Sequence, residues 1–563
     1  MNTVKLVVAQ LNFIVGNIEA NRDIIITACR QAVDQNARII IFPELALTGY
    51  PPEDLLLRPE LYQRCDDALQ AICREFKKYS KPFTVILGYP KRGQIHSPDH
   101  SSGKLQIFNI AGVIQDGNIT DEYAKQNLPN YKVFDEKRYF TAGDDACIVT
   151  IDNIPFGLSL CEDIWVDEPI NKSITAGARC IINLNASPFH LGKPELRESV
   201  VKAHASNHQI PVIYANLVGG QDELVFDGHS FTVNEKGKVI QRAPEFESGL
   251  YEVKIDWDGE RATARAQTCS DLLEELPGIY QALVTGVRDY VHKNGFTGAV
   301  LGLSGGIDSA LTLAIAVDAL GAEQVEAVSM PSRYTANMSV DDARQECEIL
   351  GVNFALISIE KAFDAFLGLL KPVFGDLPAD TTEENIQARC RGILLMAISN
   401  KKRKIVLTTG NKSEMAVGYA TLYGDMAGGF DVLKDVSKTR VFALSNWRNQ
   451  QSPVIPQRVI DRPPSAELAL DQKDSDSLPD YEVLDPILEH YIEHDKSAAD
   501  MIAEGYAAQD VSKVMRLVDT TEYKRRQAPP GVRITERAFG RDRRYPVTSG
   551  FHQGRATIED LKG

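Results

Sequence analysis

Long apolar runs, disulfide spacing and excess positive charge are all missing from this chain of 563 residues. No apolar segment approaches the roughly 20 residues that a helix needs to cross a bilayer, and residues 1–10 are typical of a first strand rather than of a signal peptide. The nine cysteines are scattered without CxxC spacing, which favours reduced thiols over disulfides or structural zinc. The net charge of −16 argues against general nucleic-acid binding. These absences predict a cytoplasmic protein that binds neither membranes nor nucleic acid.

What is present is the composition of a large globular protein, with 44% hydrophobic and 25% charged residues. A chain of this length exceeds what one hydrophobic core supports, so we expect two or more domains. Strand-like runs recur with helical patterns between several of them, which predicts an α/β fold. In the first half these runs are Val4 to Ala9, Ile39 to Phe42, Val85 to Gly88, Phe156 to Leu160, Ile181 to Asn185 and Val212 to Asn216.

The stretch from Tyr251 to Pro277 turns polar and acidic, which indicates a junction between domains. We place the boundary near residue 265. Residues 1–265 are then predicted to form a layered α/β domain, and residues 266–563 a doubly wound, parallel-sheet domain.

Three strand ends of the first domain carry reactive side chains, Glu44, Lys125 and Cys161. Each has an ordinary alternative role, because Glu44 can cap a turn, Lys125 can be a solvated surface lysine, and Cys161 can be a small core residue. Their chemistry is nevertheless complementary. A carboxylate desolvated at a strand end is a better general base near neutrality, a cation stabilises an oxyanion, and a thiol beside both is a nucleophile.

Taken together in this order and these local settings, the three residues resemble the Glu-Lys-Cys triad of the nitrilase family of carbon–nitrogen hydrolases. The resemblance implies that Cys161 attacks an amide carbonyl, that Glu44 shuttles the proton, and that Lys125 supports the tetrahedral oxyanion. Ammonia then leaves, and water hydrolyses the thioester.

The same resemblance points to residues that bind the amino-acid substrate in members of the family that use glutamine. Tyr131 in the segment 128–136, and Ser187 with Lys193 in the segment 185–193, fall at the corresponding positions. Arg197 is an alternative cation to Lys193.

A glycine-rich stretch in the second half lies between an apolar strand-like run, 298–303, and a helical pattern, Ala310 to Val317. At such a turn the free N–H groups of the first helical turn point outward, and glycine lets phosphate oxygens approach the backbone. The GxxxxGK[ST] pattern of common nucleotide-binding loops is absent from this stretch. The predicted phosphate loop consists of Gly302, Leu303, Ser304, Gly305, Gly306, Ile307, Asp308 and Ser309.

This loop resembles the SGGxDS loop of the ATP pyrophosphatases, which cleave ATP between its α and β phosphates. The resemblance implies that Ser304, Gly305, Gly306 and Ser309 hold the pyrophosphate, and that Asp308 helps to place Mg²⁺. An ordinary capped glycine turn is the alternative.

Further strand ends of the second half offer more ligands for a nucleotide. The run Lys404 to Thr409 opens into the segment 410–414, where Thr409 is positioned to contact ATP and Glu414 to join Asp308 at Mg²⁺. A glycine-rich segment, 423–431, precedes Lys438 and suits a loop that closes over a triphosphate. The alternatives are a simple helix cap and an exposed turn.

These segments, with 384–389, 464–468 and 522–525, resemble the NAD synthetases, and the whole chain resembles the glutamine-dependent members. The resemblance implies that Thr409, Lys438 and Ser465 contact ATP. It also implies that a second set of residues contacts deamido-NAD: Asn385, Arg389, Glu414, Asp425 and Lys524, with Asp431 near the dinucleotide pocket.

The implied reaction adenylates the nicotinate carboxylate of deamido-NAD with ATP and Mg²⁺, and ammonia from glutamine then displaces AMP. Because free ammonia is largely protonated at neutral pH, we expect it to pass through an internal tunnel between the domains. Subunits of the nitrilase family commonly associate, so a homo-oligomer is also expected.

Other activities fit the sequence less well. Asparagine synthetases need a cysteine at position 2, where this chain has Asn2. GMP synthetases use a Cys-His-Glu glutaminase, which does not fit Glu44, Lys125 and Cys161. The basic segment 524–544 favours a phosphorylated ligand or a neighbouring subunit over nucleic acid. A nucleotide sensor that has lost turnover is the alternative outside the enzymes.

Overall fold

The computed structural model describes residues 2–79, 81–93, 106–465, 467–469 and 478–551. Ala466, in the predicted segment 464–468, lies outside these residues. The chain divides into two compact units, Met1–Glu274 and Glu275–Gly563. Over the described residues no helix combines the length and the apolar character needed to cross a membrane.

The first unit is built from two main sheets with helices outside them. Its helices are α1 (Ile18–Asp34), α2 (Pro59–Phe76), α3 (Asp167–Thr175) and α4 (Lys193–His208). Its strands are β1 (Asn2–Gln10), β2 (Ile39–Ile41), β3 (Thr84–Arg92), β4 (Ile107–Gln115), β5 (Asn118–Ala124), β6 (Ile148–Ile151), β7 (Ile154–Leu160), β8 (Cys180–Asn185), β9 (Val212–Asn216), β10 (Val218–Gln221), β11 (Leu224–Asp227), β12 (Phe231–Val233), β13 (Val239–Arg242), β14 (Gly249–Trp257) and β15 (Ala262–Ala264).

The described strands of this unit form a seven-stranded sheet in the order β15-β14-β1-β2-β3-β4-β5 and a six-stranded sheet in the order β13-β12-β9-β8-β7-β6, with β10 and β11 as a separate hairpin. Alternate residues of β1 show how the layers form. Val4, Leu6 and Val8 enter the core between the sheets, whereas Val7 and Ala9 face the core beneath α1 and α2. The helices α3 and α4 cover the second sheet. The predicted layered α/β domain is therefore confirmed.

Several strands of this unit were not predicted from the sequence, and β14 is the most informative of them. The first part of the polar stretch that begins near Tyr251 belongs to β14. This strand pairs antiparallel with the whole length of β1. Val253 and Ile255 of β14 enter the apolar core, and the charged residues Glu252, Lys254 and Asp256 alternate with them. Because half of its side chains face outward, the strand has a polar composition.

The second unit contains a five-stranded sheet that is parallel throughout, which confirms the predicted doubly wound arrangement. The strand order is β18-β17-β16-β19-β20, formed by β16 (Ala299–Gly302), β17 (Val325–Ser329), β18 (Asn353–Leu356), β19 (Ile405–Thr408) and β20 (Phe430–Asp431). The described helices are α5 (Glu275–Lys293), α6 (Ile307–Leu320), α7 (Asn337–Leu350), α8 (Glu360–Phe374), α9 (Thr381–Lys402), α10 (Lys412–Val417), α11 (Lys438–Gln451), α12 (Gln457–Asp461), α13 (Tyr481–Ile492), α14 (Ala498–Ala503), α15 (Ala508–Thr520) and α16 (Glu522–Arg525).

The carboxyl ends of β16, β17 and β19 meet at one edge of this sheet, as parallel strands require. The phosphate loop follows β16, and Thr409 follows β19. Val300 of β16 packs with Phe363 and Ile386 in the core beneath α8 and α9. A separate helical core joins α10, the helix that carries Glu414, to α13, α14 and α15.

Candidate active sites

The first candidate site brings together the three reactive residues of the first unit. Glu44 follows β2, Lys125 directly follows β5, and Cys161 directly follows β7. All three are buried, and Lys125 Nζ donates to Glu44 Oε1 over 2.8 Å. Lys125 is therefore not the solvated surface residue that its sequence neighbourhood alone allowed.

Glu44 is held by three donors from separate parts of the unit. Its Oε1 accepts from Asn109 Nδ2 at 2.7 Å as well as from Lys125, and its Oε2 accepts from the backbone N–H of Ala186 at 3.1 Å. This arrangement fixes the carboxylate in a single orientation, which a general base requires.

A second carboxylate, Glu136, completes the group and was not identified from the sequence. Its Oε1 accepts from Lys125 Nζ at 2.9 Å and from the Tyr50 hydroxyl at 3.0 Å. Burial raises the pKa of Glu136 to about 7, although the Lys125 ammonium opposes the shift. Burial alone would lower the pKa of Lys125, but Glu136 and Glu44 more than offset that effect and raise it well above its ordinary value. Lys125 therefore remains a cation inside the site.

Cys161 occupies a strained position at the end of its strand. Its φ is +42°, in the left-handed region that non-glycine residues rarely adopt. Burial and then the Glu44 carboxylate raise the pKa of the thiol well above its ordinary value, whereas Lys125 opposes them. The resting group is a neutral thiol, so its proton must leave as it attacks.

The predicted amino-acid-binding residues lie around this group. Lys193 Nζ lies 3.9 Å from the centre of the Trp165 ring, and burial followed by the charge of Arg197 lowers the pKa of Lys193 to about 8. Tyr131 is half exposed and donates its hydroxyl proton to Glu162 Oε1 over 2.6 Å.

Ser187 is buried, and its Oγ accepts from Arg197 Nε at 3.1 Å. Arg197 itself is engaged elsewhere, since its Nη1 donates to both Asp227 carboxylate oxygens at 2.7 Å. Its charge is thus neutralised within the fold, which leaves Lys193 as the better candidate for an anionic substrate group.

The second candidate site is a cavity of about 280 Å³ in the second unit, at the strand-end edge of the parallel sheet. It contains most of the predicted ATP and metal residues together with Asp425. Those that line it are Gly302, Leu303, Ser304, Gly306, Ile307, Asp308, Ser309, Thr409, Glu414, Asp425, Lys438 and Ser465. Gly305, Asn385, Arg389, Lys524 and Asp431 are not among the described residues that line it.

The phosphate loop is braced internally by its two serines. Ser304 Oγ lies 3.1 Å from Ser309 Oγ and accepts from the N–H of Gly306 at 3.1 Å, while Ser309 Oγ donates to the carbonyl of Gly306 over 3.0 Å. Gly306 caps α6, so the first N–H groups of that helix face the cavity edge. This is the geometry of a helix N-terminus that binds phosphate.

Two carboxylates converge on one ammonium beside the loop. Lys438 Nζ donates to Asp308 Oδ2 over 2.6 Å and to Glu414 Oε1 over 3.1 Å. Asn411 Nδ2 donates to Asp308 Oδ1 over 2.9 Å, and Asn411 also caps α10 through its Oδ1. Convergent carboxylate oxygens are the donor set that Mg²⁺ prefers, so the residues fit the predicted metal. The segment 411–414 therefore forms a helix cap and also carries Glu414, one of the two converging carboxylates.

The predicted deamido-NAD residues gather around one segment, 418–425. Lys524 Nζ donates to the carbonyls of Gly418 and Ala420 over 2.7 and 2.8 Å. Asn385 and Arg389 of α9 contact Thr421 and Leu422, at 2.8 and 3.2 Å respectively.

Within this segment, Asp425 accepts from the N–H of Thr421 at 2.8 Å, and burial raises its pKa to about 6. Asp431 is instead buried in β20, where desolvation raises its pKa to about 7. Among the cavity residues that were not identified from the sequence are two arginines, Arg391 and Arg462.

Comparison with known proteins gives matches along the whole chain. The carbon–nitrogen hydrolase family model matches residues 5–265, and the NAD synthase family model matches residues 279–528. The glutamine-dependent NAD(+) synthetase of Acinetobacter baylyi is 47% identical over 98% of this chain and 99% of its own length. The protein of the same name from Xanthomonas campestris is 46% identical over 98% of both chains. A solved structure of glutamine-dependent NAD+ synthetase from Acinetobacter baumannii in complex with ADP is 46% identical, with a TM-score of 0.77 over 97% of this chain and 98% of that chain.

Proposed function

Because this chain belongs to the family of the glutamine-dependent NAD(+) synthetases, we propose that its two sites divide the work of one amide-forming reaction. The Cys161 site releases ammonia from glutamine, and the cavity of the second unit uses ATP to activate deamido-NAD for attack by that ammonia. The observation that carries the proposal is the buried group of Glu44, Lys125 and Cys161 on the same chain as the phosphate loop.

In the first site, Glu44 takes the thiol proton as Cys161 Sγ forms a bond to the amide carbon of glutamine. The carbonyl oxygen gains negative charge, which the Lys125 ammonium stabilises. When the intermediate collapses, the C–N bond breaks, and Glu44 returns the proton to the departing ammonia. Glu44 then takes a proton from water as the water oxygen bonds to the thioester carbon. The C–S bond breaks, glutamate leaves, and Glu44 returns the proton to Cys161 Sγ.

Recognition of glutamine needs a cation for its α-carboxylate and acceptors for its α-amino group. Lys193 supplies the cation: burial and then the charge of Arg197 lower its pKa to about 8, so the ammonium form still predominates at neutral pH and an anion there would stabilise it. The Ser187 hydroxyl, braced by Arg197, and the Tyr131 hydroxyl, braced by Glu162, supply polar contacts on either side.

In the second site, a nicotinate carboxylate oxygen attacks the α-phosphorus of ATP, and the bond between that phosphorus and the oxygen bridging to the β-phosphorus breaks. Pyrophosphate leaves against the N–H groups at the start of α6, with Ser304, Ser309 and Lys438 around it. Ammonia next attacks the carbonyl carbon of the acyl-adenylate, loses a proton and displaces AMP. Thr409 and Ser465 are assigned to ATP, and Asn385, Arg389, Asp425 and Lys524 to the dinucleotide.

Mg²⁺ belongs to this proposal as the partner of the phosphates. Asp308 and Glu414 would hold it, since an oxygen of each carboxylate lies within 3.1 Å of the same cation, the Lys438 ammonium, so both carboxylates can reach one positive charge. A bound magnesium ion neutralises charge on the departing pyrophosphate.

We also include self-association in the proposal. The α8–α9 face, defined here as Leu369, Val373, Leu377 and Ile393, exposes 58–75% of each of these apolar side chains. Leu369 and Val373 lie one helical turn apart on α8, and exposed apolar side chains close together in this way are typical of a binding surface. A second copy of this chain is the partner that the expected homo-oligomer supplies.

The deciding experiment measures NAD formation from deamido-NAD, ATP and Mg²⁺ with glutamine or ammonium as nitrogen source, for the wild type and for Cys161→Ala. The variant should lose only the glutamine-driven reaction. If the wild type forms no NAD from either source, the synthetase assignment fails. Release of pyrophosphate on adding ATP with deamido-NAD excludes a sensor, which would bind both and turn over neither.

A further inference from the structure

Arg462 follows α12 and reaches back to the phosphate loop. Its Nη2 donates to the carbonyl oxygen of Gly305 over 2.7 Å, and its Nη1 donates to Ser339 Oγ over 2.9 Å. Arg462 also lines the cavity of the second unit. A planar guanidinium with fixed donors can hold two acceptors at once, which a lysine ammonium does less specifically.

Gly305 is the part of the loop that most needs such a restraint. Its φ is +80°, and a Cβ built on it would lie 2.2 Å from the carbonyl oxygen of Ser339, so only glycine fits there. Glycine leaves the adjoining peptide units free to rotate. The Gly305–Gly306 peptide donates its N–H to Ser304 Oγ on one side and accepts from Arg462 on the other.

Rotation of that peptide unit would exchange its N–H for its carbonyl oxygen. A carbonyl dipole turned toward the phosphates would repel them. In the observed orientation the Gly306 N–H is bonded to Ser304 Oγ within the loop, and the Gly305 carbonyl is turned toward Arg462. The hydrogen bond from Arg462 opposes this rotation because the carbonyl would have to leave a charged partner.

The same arginine connects the loop to the segment that carries Ser465. Ser339 Oγ donates to Glu467 Oε1 over 2.6 Å, and Arg462 Nη1 lies 3.6 Å from the same carboxylate oxygen. The N–H of Glu467 in turn donates to Ser465 Oγ over 3.2 Å. A continuous set of contacts therefore runs from Gly305 through Arg462 and Glu467 to Ser465.

We propose that Arg462 is a positioning residue that holds the phosphate loop and the Ser465 segment together in the form that binds ATP. It acts through the Gly305 carbonyl and through Glu467. The inference rests on the proposed function, because it assigns ATP to this cavity.

The chain provides a matched control for testing it. Arg458 lies one helical turn earlier and pairs with Asp342 of α7, with 2.6 Å between Nη2 and Oδ1. It is half exposed and its guanidinium donates to the Asp342 carboxylate, so Arg458→Met removes a neighbouring arginine and an ion pair without touching Gly305.

The experiment follows ammonium-driven NAD formation with Mg-ATP for Arg462→Met, Arg462→Lys and Arg458→Met. Loss of a hydrogen bond from a charged donor should raise the KM for ATP by about 10- to 100-fold in Arg462→Met, with less effect in Arg462→Lys. The KM for deamido-NAD, the rate of glutamine hydrolysis and the behaviour of Arg458→Met should stay as in the wild type. An unchanged KM for ATP in Arg462→Met, or an equal rise in Arg458→Met, overturns the proposal.

A binding measurement separates this inference from the function on which it rests. Calorimetric titration with a non-hydrolysable ATP analogue needs no turnover, and Arg462→Met should weaken binding by the same factor. If the wild type binds the analogue but makes no NAD, the proposed function fails while Arg462 is still tested. If Arg462→Met binds the analogue as the wild type does, the positioning role fails whatever the activity.

Discussion

Replacing Glu136 by Gln tests how the first site keeps a lysine charged in a buried position. The change removes one of the two carboxylates that flank Lys125 and retains a side chain of the same shape. Lys125 Nζ lies 2.9 Å from Glu136 Oε1, a distance at which unit charges attract by roughly 6 kcal/mol at an effective dielectric constant of about 20.

The expected loss is smaller than this attraction, because Glu44 remains 2.8 Å from the same ammonium. Removing one partner of a buried pair costs about 3–5 kcal/mol, and the lower end applies here. This cost falls on the charged form of Lys125 and so on the group that stabilises the oxyanion; if about 3 kcal/mol of it is lost from the transition state, the rate of glutamine hydrolysis should fall roughly 10²-fold.

The pH dependence follows from the raised pKa of Glu136, about 7. As the pH falls through that value, Glu136 becomes protonated and Lys125 loses one of its two counter-charges. The wild-type rate should therefore fall on the acid side, whereas Glu136→Gln should stay low and lack this limb. The two rates should converge below the pKa and diverge above it.

Glutamate release at several pH values measures both effects, and ammonium-driven NAD formation checks that the second unit is intact. Glu122→Gln is the control, since Glu122 lies on β5 close to Lys125 in sequence but pairs with Lys91 at the surface. A constant ratio of wild-type to Glu136→Gln rates across the pH range would refute the reasoning.

Three further predictions concern the loop, the ammonia and the oligomer. Gly305→Ala should abolish NAD formation from either nitrogen source but leave glutamine hydrolysis intact, because the new Cβ would collide with the Ser339 backbone. Gly368→Ala is the control and should have no effect, because no atom lies within 4 Å of the new Cβ there. An enzymatic ammonia trap should suppress NAD formation from ammonium but not from glutamine, and suppression of both would contradict internal transfer. Leu369→Glu with Val373→Glu, at side chains exposed by 74% and 75%, should reduce the sedimentation coefficient, whereas Lys371→Glu on the same helix should not.

The fold was predictable where strands are buried on both faces. Such strands are continuous apolar runs, as in Ile39 to Ile41, and the parallel sheet of the second unit follows from their alternation with helices. The strand β14 was missed because its partner, β1, lies at the other end of the domain sequence. Only that long-range pairing turns a polar stretch into a strand, and local composition does not report it.

The same distinction explains which site residues were found. Glu44 and Cys161 stand at the ends of apolar strands, and the phosphate loop stands between a strand and a helix, so a local pattern marks each of them. Glu136 has no such mark, because it reaches Lys125 from a short turn, and its pKa is raised first by burial and then by the charge of the distant Glu44. Arg462 has none either, since its partner Gly305 lies 157 residues away in the sequence.

Glu136 and Arg462, which no local pattern marks, act by restricting groups that a local pattern does identify. Glu136 keeps Lys125 charged, and the Gly305 carbonyl is fixed by Arg462. A strand end or a glycine turn supplies a reactive group with the right chemistry, but the protonation state and the peptide orientation depend on distant contacts. Substituting a reactive residue such as Cys161 should therefore abolish a reaction. Substituting a restricting residue such as Glu136 or Arg462 should instead shift a pH profile or a KM. The Glu136 and Arg462 variants differ in this measurable way from Cys161→Ala.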